Sequence, residues 1–532
     1  MSCKTPILHS NRLSSNDVTR LREILRSGSC EPPDAPHLRD IIFSSTEQLG
    51  RYDEHIDALE TLLKRRSAER RALKQYVDGC RGVFSPIRRL PPEILCEIFA
   101  MVDQGNWHGR SATIGDEMYS LKKVHLLRLS RVCAQWHGLV LNTPALWSRI
   151  NVTLSHWSRT SYLTRLKGLL TLTIQRSTVS PLHVRAGVDG SPSLLPHQPA
   201  LEVLAQHSER WHTAVFNIGV PLFDCMSRAK GKLPHLRILR LRTWGNKTSE
   251  FDLFEDAPRL IDVAFTGPIS LMPKLPWNTL QRFALRTYIT GVPEDLGAGL
   301  SLMRFCAPGT HFQFSRLDVS RQSVPLNLPA ITVAISSLDL NLVVQIDPQR
   351  TRDLLGEIID SLTLPHARSL RFSANPRTPL YWPTANFLSF LSRSACHNLH
   401  VLDLEAVISA DELFQCLSVL PELSALTLSD CPVGPINHIL LTDDVFRRLT
   451  WTADAPTCLV PKLALFRCTT RLRFSSDVFV DFVRSRVGTG RLFKVDLCWF
   501  PDSEVGHAAR TQSEELQRRP ELRFSIIRRG RI

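Results

Sequence analysis

The chain lacks any CxxC pair, and its 13 cysteines, scattered from Cys3 to Cys498, are odd in number. That excludes a disulfide framework and zinc-finger spacing, and it predicts a reducing compartment, cytoplasmic, nuclear or both. There is no apolar h-region at the N-terminus, and no stretch of about 18 residues is free of charge, so neither secretion nor membrane spanning is expected. The spacings GxSxG, GxxxxGKS/T, HExxH and GxGxxG are all missing, and Gly488-Thr-Gly490 is too short to cradle phosphate. The 18 histidines are dispersed, and pairs such as His207 with His212 or His397 with His400 have the character of loop or helix residues rather than ligands. Nothing here implies a cofactor, a metal or catalysis, and the expectation is a protein that is not an enzyme.

What is present is a chain of 532 residues, 43% hydrophobic and 22% charged, with 34 prolines. It is long enough for roughly three or four domain-sized units, and most of it is expected to fold. The net charge of +14 attracts anionic partners in principle, and its densest run is Lys64-Arg65-Arg66 through Arg70-Arg71. Glu60 and Glu69 are interleaved with that run at helical spacing, which favours a solvated helix face over a nucleic-acid footprint.

Residues 1–37 are rich in Ser, Pro and Asn and are expected to be flexible. From Ile42 apolar residues recur every seven positions at Leu49, Ile56, Leu63 and Val77, with a second seam at Tyr52, Leu59 and Leu73. The spacing predicts a coiled-coil helix over 38–80, interrupted at Ser45, Arg66 and Arg70 and open to self-association through residues 42–77 or to folding back on the rest of the chain.

After the helix comes Ile87-Arg-Arg-Leu-Pro-Pro-Glu-Ile-Leu95, in which Pro91 and Pro92 suit a helix start and Glu93 suits its first turn. Ile94, Leu95, Ile98, Phe99 and Val102 then form one wide apolar stripe. A second stripe runs through Leu129, Val132, Cys133, Trp136 and Leu139, and the chain breaks at Asn142-Thr-Pro144 before Leu146-Trp147. Residues 103–125 contain Gly105, Gly109 and Gly115 and are expected to form a loop. Together these motifs, over 85–150, resemble the F-box, a three-helix module, although Gln135 stands where that family usually carries a basic residue. The layout of the whole chain is similar to F-box proteins abundant in mushroom-forming fungi. The resemblance implies docking on the Skp adaptor of a cullin-RING ubiquitin ligase through Leu90, Pro91, Pro92, Ile94, Leu95, Ile98 and Phe99, with Val132, Cys133, Trp136, Leu146 and Trp147 in the later part. Some of these side chains must instead fill the module's own core, and sequence does not divide the two roles.

Beyond residue 150 the chain repeats Pro-x-Leu-x-x-Leu-x-Leu or a relative of it, at Leu236, Leu260 and Leu423, with related starts at Leu280, Leu399, Leu463 and Leu492. Steps of 24, 20 and 24 residues between neighbouring starts fall in the leucine-rich-repeat range, so residues 151–532 are expected to form an irregular leucine-rich-repeat-like solenoid. The Asn or Cys that usually follows such a strand is represented only by Cys431, and between about 300 and 365 the register is lost. In such a fold the residues between the leucines face a partner, which makes Arg237, Arg240, Arg242, Arg282, Asp403 and Lys494 candidates for target binding. Asp443 and Asp444 are adjacent and so point in different directions, as acids in a first helical turn rather than as a catalytic pair.

The fold class expected is therefore α/β: a coiled-coil helix, a three-helix F-box and an irregular repeat domain. The function expected is that of a substrate-recognition subunit joining a target to a Skp-cullin-RING ubiquitin ligase. The competing expectation is a repeat-based scaffold without a ligase role; a nucleic-acid binder has only the charge in its favour.

Overall fold

The computed structural model describes residues 15–27, 35–104, 124–155, 160–189, 198–245, 250–286, 293–318, 325–343, 347–374, 379–396, 398–430, 439–452, 459–487, 494–499, 515 and 523–526. The chain is mixed α/β and divides into two units, residues 1–94 and 95–532.

The first unit is helical. A helix α1 (Ser15–Ser27) occupies part of the stretch expected to be loose, and α2 (Ala35–Val83) covers and slightly exceeds the expected helix. Every residue from 46 to 81 is exposed, the apolar seam included, with Leu59 at 65% and Leu63 at 66%. The basic run sits on α2 in local ion pairs, Lys64 with Glu60 at 3.8 Å, and Arg65 and Arg66 with Glu69 at 3.1 and 2.9 Å. Such i,i+3 and i,i+4 pairs add a few tenths of a kcal/mol each to an exposed helix.

In the second unit the strands carry the organisation. Among the described residues fourteen parallel strands form one sheet: β1 (Arg149–Ser155), β2 (Leu182–Asp189), β3 (Trp211–Asn217), β4 (Ile238–Arg242), β5 (Asp262–Thr266), β6 (Arg282–Arg286), β7 (His311–Asp318), β8 (Ser337–Val343), β9 (Ser369–Ala374), β10 (Val401–Leu404), β11 (Ala425–Ser429), β12 (Leu465–Thr470), β13 (Lys494–Trp499) and β14 (Arg523–Ile526). Each pairs with its successor in sequence, so every connection is a crossover that returns the chain to the same edge. The connections include helices such as α7 (Thr160–Arg176), α8 (Gln198–Ala205), α9 (Pro293–Ser301), α10 (Pro348–Asp360), α11 (Thr384–Arg393) and α12 (Ala410–Ser418), and several 3-10 turns. The strand register sets Leu239 beside Val263, Val263 beside Phe283 and Leu402 beside Leu426, offsets of 24, 20 and 24 residues that match the sequence steps.

Period-2 alternation puts one set of side chains inside. Leu239, Leu241, Val263, Phe265, Phe283, Leu285, Phe312 and Phe314 are all buried, whereas Arg240, Ala264 and Ala284 between them are not. Only one sheet face can therefore belong to the core. The segment whose register the sequence loses contains β7 and β8, but their pairing slips between Phe314 and Leu317, and a separate parallel bridge joins Ile331–Thr332 to Leu362–Thr363. Phenylalanines stand at inward positions of β7, so the leucine pattern is blurred although the packing rule is kept.

Past β11 the connection needs polar anchoring. Asp430 is fully buried; one carboxylate oxygen accepts the amides of Leu440 and Leu441 at 2.9 Å, and the other accepts the Thr470 hydroxyl at 2.9 Å and the Arg471 amide at 3.1 Å. Cys431, the one residue at the expected polar offset, lies outside the described residues. After that segment α13 (Asp443–Leu449) and α14 (Ser476–Val487) flank β12. Buried Arg486 of α14 donates to the carbonyls of Leu449, Leu459 and Val460, which offsets the cost of burying a guanidinium.

Candidate functional site

The short helical segment ahead of the sheet starts from a turn at Pro86–Arg89 and a helix α3 (Pro92–Gln104), with Pro92 at its first position and Glu93 in its first turn. Burial divides the apolar stripe of α3 in two. Leu95 and Phe99, one turn apart, are 0% and 1% exposed, whereas Ile94 is 42%, Met101 63% and Val102 45% exposed. Pro91 and Pro92 are exposed, and Leu90 and Ile98 are half-buried.

The second stripe spans two helices. α4 (Val124–Leu129) ends in a turn at residues 130–132, Cys133 is extended with φ −161°, and α5 (Ala134–Asn142) begins after it. The turn is held by Ser130, whose amide donates to Leu126 and whose hydroxyl donates to Leu127, while His137 Nδ1 contacts the Ser130 carbonyl at 3.1 Å. Val132 is thereby left 56% exposed, with Cys133 half-buried. Of the expected loop 103–125, residues 105–123 lie outside the described residues.

Within the second unit the aromatic residues tie the segment together. Phe99 meets Trp136 edge-to-face at 4.8 Å, and the Cys96 thiol and Thr143 hydroxyl lie 3.4 Å apart. Trp147 of α6 (Pro144–Trp147) donates its indole N–H to the Val140 carbonyl at 2.7 Å, and the Arg176 guanidinium of α7 stacks 5.0 Å over its ring. Leu146, Trp147, Trp136, Leu95 and Phe99 are all buried, so of the candidates these five fill the segment's own core, a division of roles that the sequence left open. Leu90, Pro91, Pro92, Ile94, Ile98, Val132 and Cys133 remain accessible in whole or in part. α6 leads into β1 through Ser148 alone, whose carbonyl accepts the His183 amide of β2 at 2.9 Å.

The outward face of the sheet carries a second cluster. Arg240 forms a two-pronged pair with Asp262, at 2.7 and 2.8 Å, and Arg282 reaches the same carboxylate at 2.9 Å. Farther along, Asp339, Arg371 and Asp403 are register neighbours on β8, β9 and β10, with Arg371 at 2.7 Å from Asp403 and 3.7 Å from Asp339. Of the expected target contacts, Arg240, Arg282 and Asp403 are thus engaged within the sheet, Arg237 is exposed just before β4, Arg242 is exposed at its end, and Lys494 is half-buried at the start of β13. Asp262, Asp339 and Arg371 were missed by sequence reasoning; the 32-residue offset that aligns Asp339, Arg371 and Asp403 was the available signal. Burial pushes the Asp339 carboxyl up to about 6, partly opposed by Arg371. Asp403 is raised for the same first reason.

Other titratable groups serve packing. Asp443 and Asp444 stand in the first turn of α13, where Asp443 accepts the Ser475 amide at 2.6 Å and each acid pairs with an arginine four residues on. Burial pushes Cys306 up to about 12 and Cys396 and Cys416 up to about 11, so these thiols stay protonated. His183, whose ring lies tilted against His212 with centroids 5.3 Å apart, is lowered to about 4 by burial and by the charges of His212 and Arg149. Among the described residues no group of three or more His, Cys, Asp and Glu is placed to hold a metal ion, and no helix is long and apolar enough to cross a membrane.

Set against known proteins, residues 87–153 match a family model described as F-box-like. The match spans the helical segment from the turn before α3 into β1. No curated protein matches the chain.

Proposed function

We propose that this chain is a substrate-recognition adaptor of an SCF-type ubiquitin ligase, docking the Skp adaptor, and through it cullin and RING subunits, with its F-box-like segment. The observation that carries the reading is the F-box-like match over a segment that keeps large apolar side chains, Ile94, Met101 and Val132 among them, in solvent while its aromatic core is closed. An apolar side chain held at a surface by a packed scaffold is the kind of feature that association buries. The outer sheet face, which we read as the face of an irregular leucine-rich-repeat-like solenoid, would hold the target through its charged rows around Asp262 and Arg371. The layout is that of the fungal F-box proteins. The chain performs no chemistry in this reading. It acts by proximity, replacing a bimolecular encounter between a target lysine and a charged conjugating enzyme with a tethered one. It works in the cytoplasm, the nucleus or both, and α2 associates with a second copy.

The test is capture of purified Skp adaptor by the full chain and by an Ile94→Asp, Val132→Asp variant whose fold is checked by circular dichroism. Both positions are exposed, so the variant should remain folded while capture falls at least tenfold. Leu95→Asp is the wrong probe, because a charge placed at a fully buried position unfolds the segment and abolishes binding for either reason. Failure of the wild type to capture the adaptor would overturn the ligase reading in favour of a scaffold.

A further inference from the structure

Helix α2 is electrically divided along its length. From residue 47 to 60 it carries five carboxylates and one arginine; from residue 64 to 81 it carries seven lysines and arginines and two carboxylates. The same stretch bears the heptad seam, and every side chain from 46 to 81 is exposed. Two consecutive layers of the seam are occupied by Arg66 and Arg70.

We infer that α2 pairs with α2 of a second copy of this chain in antiparallel orientation, centred between Leu59 and Leu63. The inference rests on the self-association proposed above and fixes its geometry. In a parallel pair Arg66 would face Arg66 and Arg70 would face Arg70 in adjacent seam layers, and acidic halves and basic halves would lie against their like, all of it repulsive. Reversing one helix removes each conflict. In the register that overlaps the seam from Ile42 to Cys80, Leu59 meets Leu63, Leu49 meets Leu73, Arg66 meets Ile56, and Arg70 lies against Tyr52, whose ring face attracts a guanidinium. The acidic half of each helix then runs along the basic half of the other, and Asp53 comes beside Lys74. Burial of the seam supplies affinity, while the charge division supplies orientation.

Cys80 provides the measurement, since it is exposed on α2 and occupies a seam position. A parallel pair sets Cys80 against Cys80, whereas the antiparallel register sets it against residue 42. The full chain is taken as wild type, as Cys80→Ser, as Ile42→Cys and as Ile42→Cys with Cys80→Ser, mildly oxidised, and run on non-reducing gels, with sedimentation equilibrium for mass. The expected result is a species of twice the 60.2 kDa monomer, and a disulfide-linked dimer from Ile42→Cys that is lost in the double variant and absent in wild type. Cross-linking of wild type that Cys80→Ser removes would overturn the orientation while leaving self-association standing. A monomer throughout the micromolar range would sink both. Leu59→Asp, on an exposed position, should weaken the dimer at least tenfold with the circular dichroism spectrum of the remainder unchanged.

Discussion

Leu59 of α2 and Leu239 of β4 are the same side chain in opposite circumstances, the first 65% exposed and the second fully buried. Both belong to regular apolar patterns, one of period seven and one of period two. The difference is in what each pattern needs in order to be covered. A strand in a stacked parallel sheet receives neighbours from its own chain, because each crossover returns another strand carrying the same alternation. A single helix cannot cover its own seam, and what keeps α2 helical by itself is local propensity and i,i+4 pairing, which are weak. The sheet is thus stabilised from within, whereas the seam of α2 is left in solvent.

The sharpest way to break that contrast is to remove a side chain of the same class from each region. Phe283, buried between Phe312 and Trp277, should cost roughly 3–5 kcal/mol when replaced by Ala, because a large cavity opens in a closely packed interior. Leu59→Ala should move the main unfolding transition by less than about 0.5 kcal/mol, since no buried contact is lost. Urea unfolding of both variants at a protein concentration low enough to suppress association checks this, and comparable losses would show that the two regions are not independent in the way described.

A second variant asks whether polar anchoring in the sheet region matters as much as its apolar core. Asp430→Ala leaves the amides of Leu440 and Leu441 without their acceptor in a buried site, together with the Thr470 hydroxyl and the Arg471 amide. Each unpaired buried donor costs about 1–3 kcal/mol, moderated by relaxation of the connection, and a total near 3 kcal/mol is expected from the same urea measurement. An effect under about 1 kcal/mol would mean that the connection after β11 finds other acceptors and that the apolar alternation alone sets the stability.

The two regions also differed in how far the sequence could be read. The heptad of α2 is visible because seven-residue spacing survives interruption at Arg66 and Arg70, and the strands around Leu239, Val263 and Leu402 are visible because leucine recurs with a leading proline. The motifs around Leu90-Pro-Pro and Trp136 mark the F-box-like segment, yet Ile94 and Leu95, adjacent and equally apolar, differ in exposure, 42% against 0%. No composition rule separates neighbours on one stripe; the 100° step between them decides, once the position of the core is known. β7 escaped because its inward residues are Phe312 and Phe314 and its register slips, and the break between α4 and α5 is hidden because the turn at residues 130–132 keeps helical spacing across it. The charge partners on the sheet face needed register, which places Asp339, Arg371 and Asp403 side by side although they are 32 residues apart in sequence at each step.

A smaller effect than those of Phe283→Ala and Asp430→Ala concerns that row of charges and tests whether the outward sheet face is tuned for stability at all. Asp339 is 3% exposed, one of its carboxylate oxygens is buried without a hydrogen-bond partner among the described residues, and burial pushes its carboxyl up to about 6. A carboxyl whose folded value lies above its unfolded value binds its proton more tightly in the folded state, so stability from this group is greatest at low pH and is lost as pH rises from about 4 to about 6. Asp403 is raised in the same direction and adds to that slope. Asp339→Asn keeps a side-chain oxygen to accept from Gln313, which donates at 2.9 Å, and leaves Arg371 its shorter contact with Asp403. The variant should therefore be more stable than wild type at pH 7.5, by on the order of 1 kcal/mol, and flatter between pH 4 and 6. Melting temperatures of the two proteins across pH 4–8 decide the matter. A variant less stable at pH 7.5 would mean that the longer contact of Asp339 with Arg371 outweighs the cost of burying the charge, and the charged row would then belong to the forces that hold the sheet, as the leucines do, rather than standing ready for a partner.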